Sequence, residues 1–338
     1  MQSKGNTLTI AYLCEAAGVS KSGYYAWINS KKNPESYMKK KEKQDEKDFD
    51  LILDAYKHKG IDKGRRGIRM RLLHKGIVMN EKKISRLMKK YHLLCPIRKA
   101  NPYRRMMKAI RTSNYAENLL DRHFEDYGPG YVLLTDITYF YFSQKRTKTY
   151  LSVIKDAFTK QILAYVLLLS MEEEFVLETV NQLFENHKEK IHTDALIHSD
   201  QGAHYSSIQF IDLLEDKEIR RSMSRRGNCW DNAPQESFFG HMKDEIGESF
   251  KDIETFEELK EIIDDYIDYY NNERYQYNLA KLSPNEFYEY YQTGNYPLKE
   301  YIKEPDKIKE KIKKVKDARN QESSKTQDIL SNNNSSSI

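Results

Sequence analysis

The chain has 338 residues, 39% of them hydrophobic and 32% charged, with 56 Lys or Arg against 51 Asp or Glu and a formal charge of +5. That length exceeds one typical domain and can bury a full core beside smaller modules. No apolar run approaches a membrane span and the amino terminus lacks a signal-peptide core; Cys14, Cys95 and Cys229 form neither a disulfide framework nor a zinc-ligand pattern. A soluble, reduced, cytoplasmic protein with no membrane partner is expected.

Thr7 to Glu15 reads as a short amphipathic helix, Ala16 to Val19 as a turn, and Ser20 as the cap of a second helix running to about Asn29. Ile10, Leu13, Val19, Tyr24 and Trp27 supply a small core. Residues 1–30 are therefore a helix-turn-helix-like segment or, equally, an ordinary helical hairpin. Lys31 to Asp48 is densely charged, with only Tyr37 and Met38 apolar. Residues 31–56 are expected to be a charged linker or an exposed helix.

A second helical pair fills residues 57–100: Gly64 to Lys75, a turn at Gly76 to Met79, and Asn80 capping Glu81 to His92, with Ile84, Leu87, Met88 and Tyr91 on the core face. From Lys57 to Arg111 there are 19 Lys or Arg and 2 Asp or Glu, so this stretch carries +17 and the remainder −12. A polyanion partner fits that asymmetry better than a merely solvated face, and phosphate binding of this kind is salt-dependent. Candidate phosphate contacts are Lys21 in the first module, Arg65, Arg66, Arg86, Lys89 and Lys90 in the second, and Arg104 and Arg105 beyond it. Residues 101–116, with Pro102, form a basic connector or a flexible tether.

The largest region begins near Glu117. Tyr131–Phe142, Thr149–Asp156 and Gln161–Leu168 are β-branched and aromatic runs that read as three successive antiparallel strands. Glu173–Asn186 reads as a helix, Ala195–His198 as a strand, Ser207–Asp216 as a helix and Arg220–Ser224 as the last strand. Gln235–Gly247, with Pro234 at the first turn, and Phe256–Asn272 close the set as helices. The fold class is α/β, a mixed five-stranded sheet with flanking helices, preceded by small all-α modules. Beyond Leu298 the chain turns Lys/Glu-rich and then Ser/Asn-rich, so 298–338 is expected to be a disordered tail.

Three acids stand out by context. Asp136 lies within an apolar strand, where an unpaired carboxylate is costly and a cation would offset the cost. Asp200 follows a short strand into a turn at Gln201-Gly202, and Glu236 begins a helix 35 residues later. Asp200 could be only an Asx-turn residue and Glu236 only a favourable first-turn charge. Together, however, three oxygen-donor carboxylates suit Mg²⁺ or Mn²⁺, two ions per site, and phosphodiester chemistry. Lys243 lies seven residues beyond Glu236, on the same helix face. Asp156, His198 and His241 are lesser candidates near the site, more simply read as structural. No Gly-rich loop followed by Lys-Ser or Lys-Thr suggests a nucleotide.

The segments Thr135-Asp136-Ile137-Thr138-Tyr139, His198-Ser199-Asp200-Gln201-Gly202 and Ser222 through Phe239, containing Asn228-Cys229-Trp230-Asp231-Asn232-Ala233-Pro234-Gln235-Glu236, resemble the integrase catalytic core of the insertion-sequence-three family of transposases, specifically its second-frame (OrfB) product. The likeness spans roughly Leu8 to Tyr291 and includes Asn271 to Tyr275 with Leu282-Ser283-Pro284. One departure is Leu133, where the family usually carries Trp.

The resemblance implies a ribonuclease-H-like integrase core over 117–297 with C-terminal helices. It also implies Asp136, Asp200 and Glu236 as catalytic DDE metal ligands, and Lys243 as a residue approaching substrate DNA. The implied activity is cleavage of double-stranded DNA at element ends and transfer of the freed 3′-hydroxyl into target DNA, in a bacterial cytoplasm beside the nucleoid. A multimer on DNA is expected by analogy. A first-frame (OrfA-type) product or fusion is expected to be required, this polypeptide alone binding element ends weakly. The competing readings are a DNA-binding regulator that has lost catalysis and a ribonuclease-H-like nuclease that only hydrolyses.

Overall fold

The computed structural model describes residues 9–32, 34–60, 64–93, 95, 120, 124–143, 145–170, 174–224, 232–247 and 253–335. The chain divides into two compact units, residues 1–72 with 77–95, and residues 73–76 with 96–338.

The first unit is helical. α1 (Ile10–Ala16) starts at Thr9, whose hydroxyl accepts the Tyr12 amide, and a turn through Gly18 leads into α2 (Lys21–Lys32). Ser20 Oγ accepts the Gly23 amide, as its capping role requires. The small core expected here does not close within the pair: Cys14 is buried, but Val19 is 50% and Trp27 58% exposed.

α3 (Pro34–Lys57) is one long helix, and it corrects the expected boundary at residue 57. Phe49, Ile52, Ala55 and Tyr56 recur at helical spacing and pack on Ile68 and Leu72 of α4 (Arg65–His74) and on Ile84, Leu87 and Met88 of α5 (Glu81–Lys90). Of the two readings of 31–56, linker or exposed helix, the helix holds, and it supplies the second module's first helix. Asn80 caps α5 through the Lys82 amide.

The second unit is built on a five-stranded sheet of order β3-β2-β1-β4-β5. β1 (Val132–Phe142), β2 (Thr147–Asp156) and β3 (Ile162–Leu168) are antiparallel neighbours, while β4 (Leu196–Ser199) and β5 (Arg220–Met223) run parallel to β1. The crossovers are α6 (Glu174–His187) and α7 (Ile208–Asp216), whose Phe175, Val176, Val180, Phe210 and Leu214 cover Leu133, Ile154 and Ile197 on one sheet face. This is the mixed α/β order expected of a ribonuclease-H-like core. After β5 come α8 (Ala233–Ile246) and α9 (Phe256–Asn272), with Phe238, Met242, Ile263 and Tyr270 buried.

Asp156 ends β2 as a structural hub. Its carboxylate accepts from the Gly130 amide (2.6 Å), the Thr159 amide (2.6 Å) and the Thr159 hydroxyl (2.7 Å), so it ties the β2–β3 turn to the segment leading into β1. Gly130, at φ +73°, has no room for a side chain: a Cβ would lie 1.8 Å from the Lys190 carbonyl oxygen.

The expected disordered tail from 298 is also corrected. α10 (Pro284–Thr293) and α11 (Asp306–Ser335) follow the core, and Ile312 and Val315 are buried against a cluster containing Phe158, Phe287 and Tyr291. Arg319 donates to the carbonyls of Tyr127 (3.2 Å) and Pro129 (2.6 Å). Ile308, Ile312 and Val315 form an i, i+4, i+7 stripe that the surrounding Lys and Glu obscure in composition. Among the described residues no helix is long and apolar enough to cross a membrane.

Candidate active site and nucleic-acid interface

The strand register explains why an acid can sit in the middle of β1. β4 pairs only with Val132 to Leu134, so β1 runs past its neighbour and its edge is open from there on. Asp136 is the second residue of that open edge. It is half-buried, Oδ1 accepting the Ile137 amide at 2.8 Å and Oδ2 accepting Asn232 Nδ2 at 3.0 Å.

Continuing the β1–β4 register brings Asp200, just past the end of β4, level with Asp136. Its Oδ1 accepts the Gly202 amide at 2.9 Å, the Asx-turn bond that the bland reading requires. That bond leaves the second oxygen available, so the turn and a ligand role are compatible. Glu236 stands in the first turn of α8, with Pro at the helix start.

Asp136 feels the charge of the other two acids. Burial, and next the charge of Asp200, push the Asp136 carboxyl up to about 7; Glu236 adds to the rise, while the Ile137 and Asn232 hydrogen bonds oppose it. Two strands and one helix thus converge on a region deficient in positive charge. Among the described residues, no three His, Cys, Asp or Glu side chains stand close enough together to hold a metal ion as they are.

Lys243, two turns along α8, is half-buried with Nζ 4.9 Å from the Tyr139 ring centroid and 5.3 Å from that of Phe140. Burial lowers its pKa and the Asp136 charge opposes that, which places the ammonium within the field of the acidic cluster.

Three polar residues around the acids escaped sequence reasoning. Asn232 holds Asp136. Gln235, fully buried, donates from Nε2 to the carbonyls of Leu134 (3.2 Å) and Val153 (3.4 Å). Lys155, 2% exposed, donates from Nζ to the Pro234 carbonyl at 2.6 Å and lies 5.4 Å from the Phe238 ring centroid. Burial drives the Lys155 pKa well down, and the Asp136 charge is among the forces opposing this. A lysine inside the apolar strand Tyr150–Asp156 was the available signal; its partner, 79 residues away, was not visible. His198 proves to be a rung between Ser222 (Nδ1, 3.0 Å) and Ser224 (Nε2, 3.2 Å), buried beneath β4 and β5.

The candidate phosphate contacts separate into groups. Lys21, Arg65, Arg66 and Lys89 are exposed. Arg86 and Lys90, with side chains 46% and 34% exposed, are also paired within the protein. The Arg86 guanidinium grips both oxygens of buried Asp45 (2.7 and 2.8 Å), and Lys90 pairs with Glu42 (2.9 Å) and Asp45 (3.4 Å), so both tie α5 to α3. Arg104 and Arg105, the connector 101–116, Cys229 and the stretch from Arg225 to Asp231 lie outside the described residues.

Comparison with known proteins adds the family. The integrase core domain family matches residues 126–229, a second family of the same description matches 236–290, and an HTH-like domain family matches 43–101. The last of these begins inside α3, in accord with the corrected module boundary. A 31 kDa protein of insertion element IS600 from Shigella sonnei is 31% identical over 285 residues, 82% of this chain and 98% of its own length. The transposase of IS904 from Lactococcus lactis is 32% identical over 68% of this chain and 89% of its own, and transposase InsF of IS3A from Escherichia coli K12 is 26% identical over 82% and 93%. The magnesium-bound catalytic core of the HTLV-2 integrase aligns with 46% of this chain and 94% of its own at 15% identity and a TM-score of 0.37. The integrase core, the helical module before it and these full-length relatives place the chain in the insertion-sequence-three family of transposases, as a DDE transposase of the polynucleotidyl transferase class.

Proposed function

We propose that Asp136, Asp200 and Glu236 are the catalytic carboxylates and hold divalent cations, two Mg²⁺ or Mn²⁺ ions, for cleavage of DNA at element ends and joining of the freed 3′-hydroxyl to new DNA. The observation that carries this reading is the strand register that sets Asp200, just past β4, level with Asp136, with Glu236 in the first turn of α8; the rise of the Asp136 carboxyl through burial and both of these charges agrees with it. Such a site is short of positive charge, its donors are all carboxylate oxygens, and hard divalent cations suit it. When bound, such ions activate an attacking oxygen and stabilise a leaving oxygen at phosphorus.

The chain's own residues do the rest. Asn232 orients the Asp136 carboxylate and would yield Oδ2 to a bound cation. Lys155 and Gln235 fasten the first turn of α8 to β1 and β2, which sets the position of Glu236. Lys243 supplies a cation beside the acids for a phosphate of the bound strand. The exposed Arg65, Arg66 and Lys89, together with Lys21, hold duplex DNA away from the reacting phosphate. A second copy of the chain on paired ends, and a first-frame product or fusion that supplies element-end specificity, complete the proposed assembly.

The test is cleavage and joining of a labelled duplex carrying the flanking element end, with Mg²⁺ or Mn²⁺, in the native chain and in Glu236→Gln. Metal-dependent products that vanish in the variant while DNA binding persists support the assignment. Cleavage without joining would indicate a hydrolytic nuclease. Binding with no cleavage in either chain, even with the first-frame product added, would indicate a regulator.

A further inference from the structure

The hairpin formed by β1 and β2 carries a feature that the acidic site does not use. The register pairs Tyr139 with Tyr150 and Tyr141 with Lys148, so these four side chains share one face of the sheet. Phe140, Phe142 and Leu151, which alternate with them, are buried on the other face. Tyr139 and Tyr141 are 49% and 44% exposed, and large aromatic rings side by side in water need a reason.

Cations fix these rings in place. Lys148 Nζ lies 4.6 Å from the Tyr139 centroid and 4.7 Å from that of Tyr150, Arg146 stands 5.1 Å from Tyr141, and Lys243 lies 4.9 Å from Tyr139. Tyr139 and Tyr141 meet edge to face at 5.6 Å. From Ile137 to Val153 the hairpin contains Lys145, Arg146 and Lys148 and no Asp or Glu. The hairpin's own charges are therefore all cationic beside its exposed rings, complementary to a polyanion that also offers π faces.

We infer that the outer face of the β1–β2 hairpin binds unpaired nucleotides of the DNA strand that runs into the catalytic site. This deepens the DNA-processing reading above and rests on it. Paired bases stack on one another inside a duplex and present no free face, whereas an unpaired strand offers its bases to aromatic side chains and its phosphates to cations. Tyr139 lies three residues along β1 from Asp136, and Lys243 touches the Tyr139 ring while sitting in the field of that acid. By the same alternation Asp136 shares the face of Thr138 and Phe140, opposite the tyrosines. Lys243, near both the Tyr139 and Phe140 rings, links the two faces at the edge of β1, so a strand that separates from its partner could cross that edge from the platform to the acids.

The experiment compares binding of the full chain to a fluorescent duplex with a blunt end and to the same duplex with an unpaired 3′ tail, at fixed moderate salt. Tyr139→Ala and Tyr141→Ala are expected to weaken tailed DNA about tenfold or more, a loss typical of one base–aromatic stack, and to leave blunt DNA little changed. Tyr139→Phe and Tyr141→Phe keep the rings and should retain native affinity, which separates stacking from hydroxyl contacts and from any failure to fold. Equal losses on both DNAs, or no loss on either, overturn the inference. A change of oligomeric state with DNA affinity intact also overturns it, since the face would then cover a second copy. Metal-dependent cleavage of the duplex by the native chain, measured in parallel, reports on the catalytic reading separately.

Discussion

If the acidic cluster is built for a bound cation, the metal-free protein should carry a stability penalty that can be removed with one atom. Asp136→Asn keeps the shape and the Ile137 amide contact and deletes the charge. A carboxyl whose pKa rises from 3.8 to about 7 on folding has an ionised form about 4 kcal/mol less favourable in the folded than in the unfolded chain. Solvent reaching this half-buried group reduces that to roughly 2 kcal/mol. The sign follows from proton binding. Between about pH 4 and 7 the folded chain holds a proton that the unfolded chain has lost, so native stability declines as pH rises through that window and levels off above it. Urea unfolding of both chains at pH 5 and pH 8, without and with Mg²⁺, measures it. Asp136→Asn should be more stable than the native chain by roughly 2 kcal/mol at pH 8 and by less than half of that at pH 5, and unresponsive to Mg²⁺, which should stabilise the native chain. A variant no more stable at pH 8 would refute the argument that the site is held under charge strain.

Other substitutions separate structural from functional cations. Arg86→Met removes the bidentate partner of Asp45 and should lower stability by about 1–3 kcal/mol in denaturant unfolding, without altering the salt dependence of DNA binding. Lys89→Ala should do the reverse, reducing the slope of log affinity against log salt by roughly 0.9 with stability unchanged. Gly130→Ala places a Cβ against the Lys190 carbonyl at a positive φ, and should cost about 2–4 kcal/mol, seen as a fall in Tm. Lys155→Met keeps the volume and loses the bond to Pro234; kcat for strand transfer should fall about 10- to 100-fold, while Tm changes little because the cost of burying the amine goes with its hydrogen bond.

The first three strands of the core were legible because each is a contiguous β-branched or aromatic run, and the placement of Asp136 within one of them helped to mark it. What composition hid was periodicity inside charged stretches. α3 carries its Phe49, Ile52, Ala55 and Tyr56 stripe, and α11 its Ile308, Ile312 and Val315 stripe, within segments so rich in Lys and Glu that they read as a linker or exposed helix and as a tail. Net charge misled in a related way. A sum of +17 over 57–111 counts Arg86 and Lys90 as free cations, although acids of α3 outside that stretch, Asp45 and Glu42, neutralise them. The acids and their neighbouring motifs could be found one by one in the sequence. The groups that set their geometry, Lys155, Gln235 and Asn232, act across 79 to 101 residues and could not.

Those distant contacts bear on why the site is assembled from a helix as well as a sheet. β1 and β4 are locked by their ladder, so Asp136 and Asp200 have little freedom relative to each other. α8 has no ladder, and apolar packing of Phe238, Met242 and Ile246 alone would tolerate a small slide. Directional bonds at both ends remove that freedom. Lys155 and Gln235 hold the first turn, while Arg274 holds Glu245 near the last with contacts of 2.7 to 3.1 Å. Buried polar groups of this kind contribute less stability than apolar side chains of the same size would, so their presence along this helix answers to position rather than to stability. Glu236 and Lys243 lie between the two anchors on the same helix face, and what the anchors fix is therefore the spacing of both from Asp136.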